Sequence, residues 1–275
     1  MAKLTRAQLQ GHNHAMEMLN VDRDLTIDER FAILERYHEG ATHSNAATSA
    51  FFTPVELATH FAMEVPAGGH ILDLCAGIGA LSVATLAYHQ QNPGRHKFTL
   101  VELDPEYCKV ARRLLPDATV ICGSIFDPDV QAMLRKQRYD VAIANPPYGT
   151  LNAANGAAPR YTGKKCEYSV IDVASDLADI GVFLIPQESV PFKMSGVSQN
   201  TFDNGSEAYQ KFQRETHIEL QPNMGIDTSF AEKQWRGTSI RTEIALCDFR
   251  EVRAARTAAE TEKTTGQTNL FSAAA

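Results

Sequence analysis

The sequence predicts an α/β fold built around a parallel sheet. Between residues 70 and 144, short apolar stretches alternate with helical stretches, which gives four strands and three helices in turn. Strict alternation of this kind indicates right-handed βαβ units. The chain has 275 residues, 44% of them hydrophobic, which is enough for one large domain of this class with a modest appendage.

The first fifty residues predict a helical extension, over 1–50, ahead of the main domain. Helices are expected over 5–19 and 26–39, and the second begins with a capping box formed by Thr26 and Glu29. The polar linker that follows contains no helix or strand signal.

A third helix is expected after the segment FFTP, where the main domain begins. Thr53 is predicted to cap this helix and Pro54 to occupy its first turn, because both residue types favour a helix start. We place the main domain over 51–249.

The alternating part of the chain places several polar or glycine-rich segments directly after strands. Because the carboxyl ends of parallel strands meet at one edge of a sheet, these segments should share one crevice. The predicted strands are 70–75, 97–103, 119–125 and 139–144, with helices at 76–89, 104–115 and 127–137.

Beyond residue 165 the sequence predicts fewer helices and strands. Helices are expected at 166–179 and 207–216, and a further strand at 180–186. A strand near 217–221 and a last strand at 241–249 are expected to pair as a hairpin. The Ala/Thr-rich tail over 250–275 is predicted to be disordered.

Composition excludes several classes of protein. The net charge of −7 and pI near 5.7 give no global basic field for nucleic acid, although a local basic patch stays compatible with these values. The five cysteines form no C-x-x-C pair and the histidines show no ligand spacing, which predicts reduced thiols and no metal site. Without a signal peptide or a long apolar run, we expect a soluble, cytoplasmic protein.

A glycine-rich turn, DLCAGIG at 73–79, follows the first predicted strand of the sheet. It is an incomplete G-x-G-x-x-G motif, because Ser82 stands at the third glycine position, and a lone G-x-G also serves ordinary turns. Glu102 ends the next strand and is placed to bind both hydroxyls of a ribose. The adjacent Leu103 can pack on an adenine ring.

The acidic residue in this turn decides between ligands. Asp73 suits an ammonium group better than a phosphate, which favours S-adenosylmethionine (AdoMet) over NAD. After the third strand, a segment offers the opposite wall of an adenosine site, with the residues Ser124, Ile125 and Phe126.

The hexapeptide ANPPYG at 144–149 follows the fourth strand. Two successive prolines stiffen the backbone and cannot extend a sheet, so this corner can aim two carbonyl oxygens and an aromatic ring into the crevice. An ordinary turn is the alternative interpretation.

Four segments in order, FFTP, DLCAGIG, VELDPEY and NPPYG, resemble the motifs of gamma-type AdoMet-dependent DNA adenine-N6 methyltransferases. The resemblance covers about residues 50–190. It implies a doubly wound, mostly parallel seven-stranded sheet of the class I AdoMet-dependent methyltransferase type, in a bacterial, phage or plasmid setting. It also implies AdoMet as cofactor and DNA as substrate.

The resemblance assigns roles to individual residues. Thr53 and Pro54 are implied to contact the methionine end of AdoMet, and Glu102 its ribose. The implied catalytic tetrad is Asn145, Pro146, Pro147 and Tyr148, with Asn145 also next to AdoMet, and the residues implied to line the amino-acid and sulfonium region are Asp73, Cys75, Ala76, Gly77 and Gly79.

Two departures from the family pattern stand out. Ser124 replaces an aspartate that accepts from the adenine amino group of AdoMet, and nearby Asp127 is a possible substitute acceptor. The family's long C-terminal target-recognition domain has no counterpart in this sequence, so sequence specificity is expected to be weak or to come from a partner.

In the implied chemistry, the Asn145 oxygen and the Pro146 carbonyl each accept one N–H of the target amine while Tyr148 stacks on the flipped base. Cytosine N4, guanine N2 and a glutamine amide present similar planar amines. An RNA-base or protein-glutamine methyltransferase, and a catalytically silent binding relative, are therefore the alternatives.

Substrate contacts are expected after the tetrad, where Arg160, Lys164 and Lys165 either bind phosphates or form a solvated face. Tyr161 and Phe230 are candidates to stack on a flipped base, with a place in the core as the alternative.

The tail contains QTNLF, which resembles the Q-x-x-L-F peptide that binds the bacterial replication sliding clamp. Its anchor residues are Gln267, Leu270 and Phe271. A chance apolar stretch is the alternative interpretation.

Overall fold

A computed structural model describes residues 4–41, 51–91, 96–150 and 158–257. Its centre is a seven-stranded sheet with the strand order β3-β2-β1-β4-β5-β9-β8, in which the first five strands of the chain run parallel and β9 pairs antiparallel with both of its neighbours. The strands are β1 (Gly69–Asp73), β2 (His96–Glu102), β3 (Thr119–Cys122), β4 (Tyr139–Ala144), β5 (Ala178–Pro186), β6 (Phe192–Lys193), β7 (Thr201–Phe202), β8 (Gln221–Pro222) and β9 (Thr242–Asp248).

The helices agree with the predicted ones to within a few residues. The capping box of Thr26 and Glu29 is confirmed, as is the predicted helix start at Asp104, whose side chain accepts from the Glu106 amide. The helices are α1 (Arg6–Leu19), α2 (Ile27–Arg36), α3 (Val55–Ala62), α4 (Ala80–Tyr88), α5 (Pro105–Leu114), α6 (Pro128–Leu134), α7 (Cys166–Leu177) and α8 (Glu207–Thr216).

Two hydrophobic cores cover the two faces of the sheet. Successive strand residues alternate between them, as Ile71 and Leu72 of β1 do. Helices α3, α4 and α5 contribute to the first core and α6, α7 and α8 to the second. The sheet is therefore doubly wound.

The N-terminal helices share the first core with the main domain. Ile33 and Leu34 of α2 are buried in it. Arg113 of α5 also donates from Nε to the Leu19 carbonyl at 3.0 Å and from Nη2 to the Val21 carbonyl at 2.7 Å. These carbonyls lie at the end of α1 and just after it, so Arg113 ties the N-terminal extension to α5.

The end of the main domain differs from the prediction, because residues 249–257 are helical. Phe249 and Val252 are buried in the second core. Arg253 donates to the Ala178 carbonyl at 2.7 Å. Local composition predicts disorder from residue 250, but burial and this hydrogen bond stabilise the helix. Residues 258–275 lie outside the described part of the chain.

A short hairpin, β6 and β7, follows β5 at the edge where the parallel strands end. The buried Glu243 of β9 holds it, because one carboxylate oxygen accepts from the backbone amides of Met194 and Ser195, each at 2.9 Å. The sequence did not predict this hairpin. The predicted pairing of the last two strands is confirmed by the antiparallel register of β8 and β9.

Candidate active site

Asn145 directly follows β4 and is held by two acceptors. Its Nδ2 donates to Thr53 Oγ1 at 2.9 Å and to the Phe51 carbonyl at 3.4 Å. Because a backbone carbonyl can only accept, the amide nitrogen faces Phe51 and the amide oxygen faces away from it. That oxygen accepts from the Tyr148 hydroxyl at 2.5 Å. The orientation of the amide is therefore fixed, with its acceptor on the Tyr148 side.

Thr53 does not cap α3, so that prediction is wrong. The Pro54 carbonyl accepts the first helical hydrogen bond, from Ala58 at 2.9 Å, which makes Pro54 the N-cap and leaves Thr53 one residue outside the helix. The buried Thr53 hydroxyl contacts Asn145 instead. The segment FFTP thus contributes the hydroxyl that accepts from Asn145, and a contact of Thr53 with AdoMet stays a prediction.

Replacing Thr53 by valine tests this anchoring. Thr53→Val keeps the side-chain shape but removes the acceptor, so we expect turnover at saturating AdoMet to fall about tenfold. Thr53→Ser retains the hydroxyl and should stay near the wild-type rate. If Thr53→Val instead raises only the Kd for AdoMet and leaves kcat unchanged, Thr53 acts as a cofactor contact and not as an anchor.

Tyr148 links the tetrad to two other segments. Its hydroxyl lies 3.3 Å from the Leu184 carbonyl of β5, and its ring meets the Trp235 ring edge-on with centroids 6.3 Å apart. Burial raises the pKa of Tyr148 well above its usual value, so the hydroxyl stays protonated and acts as a donor. Trp235 was missed at the sequence level, because KQWRG at 233–237 carries no motif.

The glycine-rich turn between β1 and α4 needs its glycines. Gly77 and Gly79 have φ angles of +55° and +91°, which L side chains rarely adopt. A Cβ on Gly77 would also lie 3.4 Å from the Phe52 ring. The turn therefore presents bare backbone next to the segment that carries Thr53, as close approach by a nucleoside requires.

Asp73 ends β1 and is fully buried. One oxygen accepts from the Ser82 hydroxyl at 2.7 Å, so the residue that interrupts the glycine motif serves the carboxylate. Among the described residues the other oxygen, Oδ1, has no hydrogen bond of normal geometry, although the Cys75 amide favours the charged form. Burial raises the pKa of Asp73 to about 7. A buried carboxylate oxygen without a partner fits an ammonium group and not a phosphate.

Glu102 ends β2 with its half-buried carboxylate against the glycine turn. Oε2 accepts from the Gly77 amide and Oε1 from the Asp104 amide, each at 2.8 Å. Burial raises the pKa of Glu102, while these amides lower it. Each carboxylate oxygen can accept a further hydrogen bond, so this position is compatible with two ribose hydroxyls. The ribose contact itself stays a prediction.

The residues predicted to line the adenosine site differ in exposure. Leu103 is 58% exposed and available to a ring, whereas Ile125 is buried. The Ser124 hydroxyl accepts from the backbone amide of Phe126 at 3.2 Å, and the Phe126 side chain is half-buried. Asp127 caps α6 through its own side chain, which gives it a structural role and leaves Ser124 as the candidate adenine acceptor.

Two further residues of the turn differ in access. Cys75 is half-buried, and burial raises the pKa of its thiol well above the usual value, so it is a neutral part of the turn. Ala76 is buried and its amide donates to the Val101 carbonyl at 3.1 Å, which ties the turn to β2.

Two of the three predicted phosphate contacts are paired inside the protein. Arg160 donates to the buried Asp172 at 3.0 Å and to Asp176 at 2.7 Å. Lys165 donates to Ser189 at 3.0 Å. These pairs make a structural role the better interpretation of both cations. Lys164 is exposed and is the residue of the three that suits a phosphate.

Arg160→Ala should therefore lower stability and not substrate affinity. The variant removes one partner of the buried Asp172 carboxylate, which still accepts from the backbone amides of Arg160 and Tyr161. Because the guanidinium is partly exposed and those amides persist, we expect a loss of about 2 kcal/mol in unfolding free energy. Urea denaturation measures this value, with Lys164→Ala as the surface control.

The two candidate stacking residues differ in burial. Tyr161 is 4% exposed and packs edge-on against Tyr168 and Phe212, so its prediction as a base-stacking residue is wrong and the core interpretation holds. Phe230 is 37% exposed and lies 4.8 Å from the His60 ring, so the core alternative is wrong for this residue. The rings that these two residues meet in the described segments are His60, Tyr168 and Phe212.

Three predictions about the whole chain have different outcomes. The clamp-like peptide with Gln267, Leu270 and Phe271 lies outside the described residues and stays a prediction. In the described ranges, no three or more His, Cys, Asp or Glu side chains come together as a metal site. Nor is any helix of those ranges both long and apolar enough to cross a membrane.

Residues 55–159, from α3 through the tetrad, match the family model of the methyltransferase small domain. No curated protein sequence matches the chain. Among solved structures, a modification subunit assigned to a type I restriction enzyme from Vibrio vulnificus has 13% identity and a TM-score of 0.52, with 82% of this chain and 50% of that chain covered.

Two further structures have the same fold. The methyltransferase subunit of a type I restriction-modification system from Streptococcus thermophilus has 16% identity and a TM-score of 0.52 over 79% of this chain and 48% of that one. A protein from Listeria monocytogenes assigned as a class I AdoMet-dependent methyltransferase has 15% identity and a TM-score of 0.51 over 88% and 72%. The chain thus spans about half the length of the two modification subunits.

The predicted fold class is confirmed: this is the class I AdoMet-dependent methyltransferase fold. The fold and the matched domain support AdoMet as the cofactor and methyl transfer as the chemistry. The buried Asp73 oxygen, the bare Gly77 backbone and the carboxylate of Glu102 are the features of this chain that fit that cofactor.

Proposed function

We propose that this chain transfers the AdoMet methyl group to the exocyclic N6 amine of adenine in DNA. The observation that carries the proposal is the fixed Asn145 amide, whose nitrogen is anchored by Thr53 and whose oxygen already accepts a hydrogen bond from Tyr148. An acceptor that is oriented before the substrate arrives is what a planar, weakly nucleophilic amine needs.

In this proposal the target amine takes the place of the Tyr148 hydroxyl at Asn145 Oδ1. A second amine hydrogen is accepted by the Pro146 carbonyl, which the two prolines hold rigidly. Accepting both hydrogens draws the nitrogen lone pair out of conjugation with the ring. AdoMet supplies an electrophilic methyl group on a sulfonium. The released Tyr148 ring is then free to stack on the flipped base.

The proposed AdoMet contacts lie at the same edge of the sheet as Asn145. We assign the AdoMet ammonium to Asp73, whose Oδ1 needs a partner, and the ribose hydroxyls to Glu102. Leu103 packs on the adenine of AdoMet, and Ser124 accepts from its amino group. The contacts of Pro54 with the methionine end stay part of this proposal.

Sequence recognition is assigned to a partner. The net charge of −7 gives no global basic field for DNA, and Arg160 and Lys165 are paired with side chains of the protein itself. The similar modification subunits, of which this chain covers about half, support a specificity partner for this chain. Docking of Gln267–Phe271 on a sliding clamp is a separate proposal for local delivery.

The test supplies the protein with methyl-labelled AdoMet and, in parallel, unmethylated duplex DNA, RNA and a glutamine-containing peptide. We expect N6-methyladenine in DNA, identified by mass spectrometry of the nucleosides, and none with Asn145→Ala. Label in RNA, in the peptide or on another base contradicts the proposal and identifies the alternative substrate. No label anywhere, with AdoMet still bound, indicates a catalytically silent relative.

A further inference from the structure

Trp235 is a buried donor without a partner. It is the single tryptophan of the chain and is 5% exposed. Its indole nitrogen, Nε1, has no hydrogen-bond partner among the described residues. Buried N–H groups in folded proteins are almost always paired, so an unpaired one next to a candidate active site is available to a ligand.

The residues immediately before and after Trp235 are each held by a hydrogen bond to another segment. Gln234 donates to Glu56 of α3 at 2.7 Å, and Arg236 donates to the Tyr37 carbonyl at 2.6 Å. Between these two tethers, the Trp235 ring lies edge-on against Tyr148, with the centroids 6.3 Å apart. A donor fixed in this way is already oriented before binding, which lowers the entropic cost of using it.

We propose that Trp235 is a substrate-binding residue whose indole N–H donates to a ring nitrogen beside the target amine. The inference rests on the proposed function and extends it. Adenine presents its amine between two acceptors, N1 and N7. Asn145 supplies the acceptor for the amine, and Trp235 supplies the donor for the neighbouring nitrogen.

The Tyr148 contacts connect these two roles. In the structure the Tyr148 hydroxyl occupies the Asn145 acceptor, and the Tyr148 ring meets the Trp235 ring edge-on. A base whose amine displaces that hydroxyl must sit beside the Tyr148 ring and therefore beside the indole. One movement of Tyr148 thus makes both the acceptor and the donor available to the same base edge.

The test compares Trp235→Phe with wild type on duplexes that carry adenine, 1-deazaadenine or 7-deazaadenine at the methylated position. Each deaza base lacks one ring acceptor and keeps the amine. We expect wild type to discriminate about tenfold in kcat/KM against one of the two analogues beyond the discrimination shown by Trp235→Phe. Lys233→Gln, at an exposed position two residues from Trp235 with no assigned role, is the matched control and should keep the wild-type discrimination.

Fluorescence supplies a readout that does not depend on turnover. Because the chain has one tryptophan, its emission reports Trp235 alone. With S-adenosylhomocysteine in place of AdoMet, the adenine duplex should change the emission, and the discriminated analogue should change it less. Melting temperatures verify that Trp235→Phe is folded, and if it is not, the wild-type fluorescence with the three duplexes decides.

The inference and the proposed function fail in different ways. If wild type methylates the adenine duplex but treats the three bases alike, or if Trp235→Phe retains the full discrimination, the role of Trp235 is overturned and the proposed function stands. If wild type does not methylate the adenine duplex at all, the proposed function fails first.

Discussion

Asn145→Ala should lower the methylation rate by about 10²–10³-fold while AdoMet binding and the fold persist. The variant removes the oriented amide oxygen that we assign to one hydrogen of the target amine. The Thr53 hydroxyl and the Phe51 carbonyl each lose one hydrogen bond from Asn145 Nδ2, so the loss of stability should be small. The measurements are kcat at saturating AdoMet, the Kd for AdoMet by calorimetry, and the melting temperature.

Asn145→Asp tests the two ends of the amide separately, because it removes the Nδ2 donor that Phe51 and Thr53 hold but keeps an acceptor oxygen. Aspartate keeps two acceptor oxygens, but it turns one of them toward the Phe51 carbonyl, which can only accept. Repulsion there rotates the side chain, so we expect a loss of activity close to that of Asn145→Ala. If either variant retains more than a tenth of the wild-type kcat, Asn145 does not bind the reacting amine.

Asp73→Asn should raise the Kd for AdoMet roughly 30-fold, which corresponds to about 2 kcal/mol. The carboxylate is fully buried, and its Oδ1 is the group that we assign to the AdoMet ammonium. Ser82→Ala is the matched control, because it keeps the carboxyl group and removes only the hydrogen bond to Oδ2 that lowers the pKa of Asp73, so at pH 8.5 its effect should be several-fold smaller. An unchanged Kd for Asp73→Asn removes this residue from the cofactor site.

The pH dependence follows from the raised pKa. Burial, opposed by Ser82 and the Cys75 amide and assisted by Glu102, raises the pKa of Asp73 from 3.8 to about 7. Below pH 7 the carboxyl group is protonated, and AdoMet must displace the proton before the ammonium can pair with it. We expect the Kd to fall about tenfold between pH 5.5 and 7 for wild type, and to stay constant for Asp73→Asn.

Stability should move in the opposite direction. Between 3.8 and about 7 the folded protein holds a proton on Asp73 that the unfolded chain has released, so the unfolding free energy falls as pH rises through this range. Asp73→Asn has no such proton. Urea denaturation at pH 5 and pH 7.5 should therefore show wild type losing stability relative to the variant by a few kcal/mol. A constant difference contradicts the raised pKa.

The parallel sheet and its helices were predictable because alternating apolar and capped segments determine βαβ units locally. β4 and α8 have the predicted bounds, and Asn145 is where a strand followed by two prolines must place it. Local signals failed where tertiary contacts decide. Nothing within 250–257 predicts that Val252 is buried, and composition alone favours a disordered tail.

The site was predictable as a set of motifs but not as a set of contacts. Thr53 and Asn145 are 92 residues apart, and no rule for single helices indicates that one anchors the other. Arg160 looks like a free cation in the sequence, because its carboxylate partners lie 12 and 16 residues further along the chain. Trp235 could have been suspected only as a lone aromatic residue within a polar segment.

The tether from Arg236 to the N-terminal extension has an evolutionary consequence. Its guanidinium bonds to the carbonyls of Glu35 and Tyr37 and to the Glu39 carboxylate, and the next residue toward the N terminus is Trp235. A homologue that dispenses with the helices at its amino end should also have lost selection for arginine at this position. Presence of the two should be correlated across lineages, so a comparative survey of genomes can date when this wall of the crevice was acquired.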